Sequence, residues 1–268
     1  MCGRYASTLS PELMAKLFRP LNMIPLVSRF NIAPTQPVPA IWEISGERQV
    51  HLARWGLMPR WVKDPRDFPL VINARSETMA EKPTFRDALK HGRCILPASG
   101  YYEWHTGPDK KKQPYYITLA NDEPLALAGL YSTWVGPEGE EVDTVATITV
   151  PANADLAHIH DRMPAILDQQ GVDEWLNVRE VNAKRAVQLA LPLGPGLVKF
   201  HPVSSRVNSA RIDEPGLIEA VTLDRPEPSP TKRVGGGGQA RLVLDADFEI
   251  AQSVADGLFL VAEMGEQD

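Results

Sequence analysis

Between Val38 and Val203 the chain passes through short segments rich in β-branched and aromatic residues, joined by brief polar turns and interrupted irregularly by helical patterns. A parallel sheet needs a crossover of a dozen or more residues, usually a helix, between successive strands. Strands that follow one another through short loops pair instead as antiparallel neighbours. The expected fold class is therefore α+β, an antiparallel or mixed sheet with helices at its periphery.

Individual elements follow from local chemistry. Ser10-Pro11-Glu12 opens a helix to about Phe18, with Ser as N-cap and Pro at the first helical position. Ala40–Ile44 and Val50–Trp55 form a hairpin with Ser45-Gly46 in its turn. A short capped helix is expected from Thr84 to about Lys90. Cys94–Trp104, Tyr115–Leu119, Leu125–Tyr131 and Thr144–Val150 are β-rich, and the loop Gly107–Gln113 carries three consecutive lysines. Ala152–Ile159 and Glu174–Leu191 have helical patterns, and Val198–Val203 is the last strand.

Near Asp224 the composition changes. Residues 1–223 are expected to form one domain. Residues 224–240, with a Pro-rich stretch and four consecutive glycines, are expected to be a flexible linker. Residues 241–268 form an acidic extension in which Leu242, Leu244, Ala246, Phe248 and Ile250 alternate with mostly polar residues, as in a half-exposed strand, before a short helical stretch from Ala251 to about Met264. This extension is too small for a sizeable core of its own, so it either docks on the domain or binds a protein partner.

The net charge of −6 argues at first against a nucleic-acid partner. Residues 224–268, however, hold 4 basic and 9 acidic side chains, which leaves 24 against 25 for the body. A near-neutral body can still carry a local basic groove. No apolar run is long enough to span a membrane, and Met1-Cys2-Gly3-Arg4-Tyr5 lacks the layout of a signal peptide. The expected location is cytoplasmic, or nuclear in a eukaryote, and the expected state is monomeric. Cys2 and Cys94 form no CxxC pair and have no His at zinc-ligand spacing, so neither a metal site nor another cofactor is expected.

Five features could carry chemistry. Removal of Met1 would leave Cys2 as a terminal 1,2-aminothiol. Its amine has an ordinary pKa of roughly 7.7–8 and its thiol one of about 8.5, so both are usable near neutral pH. The amine can form an imine with an aldehyde, and the sulfur can close on the same carbon to give a thiazolidine. Asn73-Ala74-Arg75-Ser76-Glu77 offers an amide for hydrogen bonding and a guanidinium that can fork onto phosphate. Glu103, in Gly100-Tyr101-Tyr102-Glu103-Trp104, could be buried enough to act as a proton donor near neutral pH. His158 and His160 would share a face if their segment were extended, and His160 suits a proton shuttle. Trp55 and Trp61 alternate with Arg54 and Arg60, a composition suited to splayed bases of single-stranded nucleic acid. Of the two, Trp55 is better read as core and Trp61 as surface. Taken singly, each of these features also has an ordinary structural reading.

Taken in order they resemble one family, the SRAP-domain proteins, also known as SOS response-associated peptidases, which shield abasic sites. The matching motifs are Met1-Cys2-Gly3-Arg4, Phe30-Asn31-Ile32-Ala33-Pro34-Thr35, Trp55-Gly56-Leu57-Met58-Pro59, Ile72-Asn73-Ala74-Arg75-Ser76-Glu77-Thr78, Gly100-Tyr101-Tyr102-Glu103-Trp104, Ile159-His160-Asp161-Arg162-Met163-Pro164 and His201-Pro202-Val203-Ser204. The resemblance runs from residue 1 to about 222. It implies a curved, barrel-like, mainly antiparallel sheet with peripheral helices.

It further implies that Cys2 is the nucleophile, that Asn73 holds the terminal amine and the opened sugar, that Glu103 moves protons, and that His160 assists Schiff-base chemistry and reversal. Arg4, Arg75 and Arg162 would bind phosphates, and Asn31, Pro34, Trp61 and Thr149 would line the groove. The implied partner is single-stranded DNA with an abasic site, in the cytoplasm and at the nucleoid. One departure is Val62, where some members carry a second aromatic residue after the Trp61 position. Two rival readings remain open: an N-terminal-nucleophile peptidase or amidase acting through the Cys2 thiol, and a non-catalytic reader of damaged DNA.

Overall fold

The computed structural model describes residues 2–223. The expected linker and extension, residues 224–268, lie outside the described residues. The described chain is α+β, built around two sheets.

The first strand, β1 (Tyr5–Ser7), leads into α1 (Pro11–Phe18). The cap is the expected one: the Ser10 hydroxyl accepts from the Leu13 N–H at 3.2 Å. After β2 (Arg29–Ile32), the hairpin of β3 (Pro37–Ile44) and β4 (Glu47–Trp55) turns through Ser45 at φ 56° and Gly46 at φ 88°. Two successive positive φ values match the right-handed twist of the flanking strands, and a Gly at the second position relieves the strain. Next come β5 (Asn73–Arg75) and α2 (Pro83–His91).

The β-rich run expected from Cys94 to Trp104 is two strands, β6 (Arg93–Ala98) and β7 (Gly100–Thr106), which belong to different sheets. The chain changes sheet at Ser99. Gly100 is needed there because a Cβ would sit 2.4 Å from the Tyr116 ring. Beyond lie β8 (Lys112–Leu119), β9 (Leu125–Val135) and β10 (Glu141–Pro151).

Ala152–Ile159, expected as a helix, folds instead as two short turns, with Ala157 N–H bonded to Asn153 O and His160 N–H to Leu156 O. The Ala152 N–H donates to Asp161 O at 2.9 Å, which draws both ends of the segment together and prevents a continuous helix. The strands β11 (Arg162–Pro164) and β12 (Ile166–Leu167) follow. The helix expected from Glu174 to Leu191 is two helices, α3 (Gln169–Leu176) and α4 (Ala183–Leu189). Asn182 caps the second of them by accepting from the Arg185 N–H at 3.0 Å. The last strand is β13 (Val198–Pro202).

The strands β10, β4, β3, β6 and β9 pair in that order, and β9 pairs back onto β10, which closes a five-stranded barrel. All its pairings are antiparallel except β4 with β10. β5 and β11 add to β10, and β12 to β9. The second sheet has the order β13-β8-β7-β1-β2 and is antiparallel throughout. One large apolar cluster runs from Cys2 and Tyr5 through Trp55 and Leu96 to Trp175. A smaller cluster, including Ala6, Tyr102, Tyr116 and Val207, lies on the other face of the second sheet. Among the described residues no helix is long and apolar enough to cross a membrane.

Candidate active site

Cys2 lies just ahead of β1 and is fully buried. Its carbonyl accepts a hydrogen bond from Asn73 Nδ2 at 3.0 Å. Asn73 opens β5, whose parallel pairing with β10 sets it opposite Thr147. The Thr147 hydroxyl donates to Asn73 Oδ1 at 2.5 Å. An amide oxygen that accepts from this hydroxyl must leave the NH2 group turned toward Cys2, so Thr147 fixes the orientation of Asn73. Sequence reasoning passed over Thr147, because a buried threonine in an apolar strand carries no pattern that sets it apart.

Glu103 is on β7 and only 3% exposed. Burial, as the largest effect, pushes its carboxyl up to about 7. The Cys2 thiol is raised well above its ordinary value, first by burial and then by the charge of Glu103, which puts the two groups within electrostatic reach of each other. The thiol is therefore protonated near neutral pH. At the end of the two turns, His160 Nδ1 lies 3.0 Å from the Arg162 N–H and 2.9 Å from an Asp161 carboxylate oxygen. Burial lowers the imidazole pKa, although Asp161 at 2.9 Å pulls the other way.

A cleft of about 540 Å³ is lined by Gly3, Arg4, Pro34, Glu103, Trp104, Thr106, Lys112, His160 and Asn208. Of the residues expected at the site, Arg4, Pro34, Glu103 and His160 thus meet in one cleft, while Cys2 and Asn73 are joined by their hydrogen bond. Arg4 is held by three acceptors: Nη1 donates to Asn31 Oδ1 at 2.9 Å and to Val207 O at 2.6 Å, and Nη2 to Asn208 O at 3.2 Å.

Asn31, expected to line a groove, is fully buried. Its NH2 group is consumed by the carbonyls of Val207, Ser209 and Ile212, so it acts on the cleft only by bracing Arg4. Thr149 is likewise fully buried, and its carbonyl accepts from Arg162 Nη2 at 2.6 Å. Arg162 also forms a forked ion pair with Glu77, with Nη2 at 2.9 Å from Oε2. That pair was not expected from the sequence, although both partners lie in singled-out motifs. Arg75 is exposed and has no ion pair among the described residues. Trp61 is 57% exposed, edge-on to Phe68, whereas Trp55 is core, with Nε1 donating to Ile72 O at 3.0 Å. At the position of the noted departure, Val62 is buried and its carbonyl accepts from Trp134 Nε1 at 2.7 Å. His158 is exposed on a turn, and its carbonyl bonds His105 Nδ1.

Comparison with known proteins identifies the family to which the chain is similar. The family described as SOS response associated peptidase (SRAP) matches residues 1–210. The abasic site processing protein YoqW of Bacillus subtilis (strain 168) is 36% identical over 223 residues, covering 82% of this chain and 100% of that protein. The abasic site processing protein HMCES of Xenopus tropicalis is 32% identical, covering 83% of this chain and 79% of that protein. A crystal structure of a protein from Bacteroides thetaiotaomicron superposes with a TM-score of 0.73 at 26% identity, covering 82% of this chain and 100% of that one.

Proposed function

The chain belongs to the SRAP family, and on that premise we propose that it processes abasic sites in DNA by linking itself to the lesion through Cys2. Its relatives' names supply the lesion, and the site supplies the chemistry. The observation that carries the reading is the pairing of Cys2, anchored by Asn73, with a buried acid whose pKa lies near 7.

Removal of Met1 frees the Cys2 amine. Protonated Glu103 donates to the ring oxygen of the closed sugar as the C1′–O bond breaks, and the C1′ hydroxyl gives up its proton to leave an aldehyde. The amine adds to C1′, and loss of one water gives an imine. The thiol then adds across the C=N bond, with sulfur bonding to carbon and its proton passing to nitrogen. An imine acidifies the neighbouring sugar carbon and invites β-elimination. Ring closure to the thiazolidine removes that activation and protects the strand. Because the thiol is held protonated, the amine is the first nucleophile, which also disfavours thiolate attack on a peptide.

A single strand can place the lesion in the cleft without the few kcal/mol that unstacking a duplex costs. Arg4, Arg75 and Arg162 hold flanking phosphates, and Trp61 meets a base beside the lesion.

The test is a denaturing gel of Met-processed protein incubated with single-stranded DNA bearing one abasic site, beside Cys2→Ala and a chain that retains Met1. A shifted band is expected from the free-Cys2 chain alone, and Cys2→Ala should give a band only after borohydride reduction. An equally stable unreduced band from Cys2→Ala would refute the thiazolidine step. Binding without any band would leave a non-catalytic reader, and turnover of peptides without DNA would favour the amidase reading.

A further inference from the structure

The cleft is roomier than one reacting sugar requires, and part of its lining is chemically distinct from the reacting groups. About 540 Å³ lies within the range of pockets that enclose whole small molecules. Besides Glu103 and His160 it is lined by Trp104, Thr106, Lys112 and Asn208.

Asn208 has both oxygens occupied: its carbonyl accepts from Arg4, and its Oδ1 accepts from Trp104 Nε1 at 2.7 Å. Its NH2 group has no hydrogen-bond partner among the described residues and can donate to a ligand, and the residue is exposed. The same bond holds the half-buried Trp104 indole against the smaller apolar cluster. Lys112 faces Thr106 across the β7–β8 pair and is exposed. In the three-lysine run, Lys111 pairs with Asp109 at 3.5 Å, whereas Lys112 has no carboxylate partner among the described residues. This part of the cleft therefore combines a cation, amide donors and a fixed aromatic ring. That set complements a phosphate joined to a base.

We propose that the cleft seats two consecutive units of the DNA strand, the abasic sugar beside Gly3 and Glu103 and the neighbouring nucleotide beside Trp104 and Lys112. The neighbour's base lies against the Trp104 indole, and its phosphate lies between Asn208 Nδ2 and Lys112 Nζ. This rests on the abasic-site reading, but it can be tested apart from the covalent step.

The probe is a fluorescent single strand carrying a tetrahydrofuran residue, an abasic analogue without an aldehyde, with affinity read by anisotropy over a range of salt. Lys112→Ala should weaken binding about fivefold and make the salt slope shallower by about one contact, with Lys112→Arg restoring both. Asn208→Asp can still accept from Trp104 but replaces donors with a negative charge, and it should weaken binding at least as much. Ending the strand at the lesion on one side, but not on the other, should erase both effects. Wild-type affinity in Lys112→Ala and Asn208→Asp, or losses that persist with both truncated strands, would overturn the proposal. Failure of wild type to crosslink a true abasic site, with these binding losses intact, would refute the covalent reading and leave the subsite standing.

Discussion

Glu103 shows how one buried side chain couples stability to chemistry. Its ordinary pKa is near 4.3, and burial lifts it to about 7 in the folded chain. Between those values the folded state keeps a proton that the unfolded state has released. Stability therefore falls as pH rises from about 4.5 to 7, by roughly 3 kcal/mol in all, and then levels off. Glu103→Gln should flatten that slope, as read from urea midpoints between pH 4.5 and 8, and equal slopes in the two chains would sink the assignment. In the proposed reaction the same proton serves catalysis, because that reaction needs a protonated Glu103 and a neutral amine. The crosslinking rate should be bell-shaped near neutral pH, and Glu103→Gln should lose the alkaline limb along with a factor of about 10² or more in rate. Thr147 acts one step back. Thr147→Val removes the donor that orients Asn73 and should slow crosslinking about tenfold, with Thr147→Ser close to wild type. A Thr147→Val rate equal to wild type would show that Asn73 needs no such support. Cys2, Asn73, Glu103 and His160 could be singled out as candidates because each stands in a motif. Thr147, Asn208 and the Glu77 partner of Arg162 could not, because their roles depend on which strands lie side by side.

At the scale of elements, legibility followed the range of the interactions involved. The α1 cap and the Ser45-Gly46 hairpin are decided within a few residues, and both stand as read. The break between α3 and α4 is decided by a residue some eighty positions earlier. Arg93 is 1% exposed, and its guanidinium donates to the carbonyls of Leu89, Trp175, Asn177 and Val181. It takes up backbone oxygens at the ends of α2 and α3 that would otherwise lack partners, so two helices can stop where the local sequence would favour one. Burial lowers the Arg93 pKa to about 10, so it remains charged at neutral pH. Arg93→Met would leave those carbonyls buried without the donor and should cost about 3–5 kcal/mol. Arg93→Lys, with a single nitrogen, should fall between the two. Guanidinium denaturation would read this, and a methionine variant as stable as wild type would mean that water or neighbouring N–H groups can replace the clamp. The preceding Gly92 has an equally specific reason: a Cβ there would stand 2.3 Å from the Tyr131 carbonyl oxygen.

Across the whole molecule, net charge is a poor guide to what binds, because many charges cancel locally. Arg29 pairs with Asp213, Arg185 with Glu174 and Arg206 with Glu214, leaving the body near neutral. Arg4 and Lys112, which line the cleft, have no carboxylate partner among the described residues. A basic groove can thus exist on a chain of formal charge −6. Arg162 is the instructive exception, since Glu77 forks onto it and cancels its charge. A phosphate must either compete with that carboxylate or share the guanidinium with it. Glu77→Gln separates charge from geometry, because the amide oxygen can still accept from Arg162 while the negative charge is gone. Binding to single-stranded DNA should tighten at low salt, and the plot of log affinity against log salt should steepen by about one contact. The Arg162→Ala, Glu77→Gln double variant should lose both gains, which ties them to this guanidinium rather than to a general change in charge. Weaker binding with a shallower slope in Glu77→Gln would instead mean that Arg162 reaches phosphate only when a full carboxylate holds it in place.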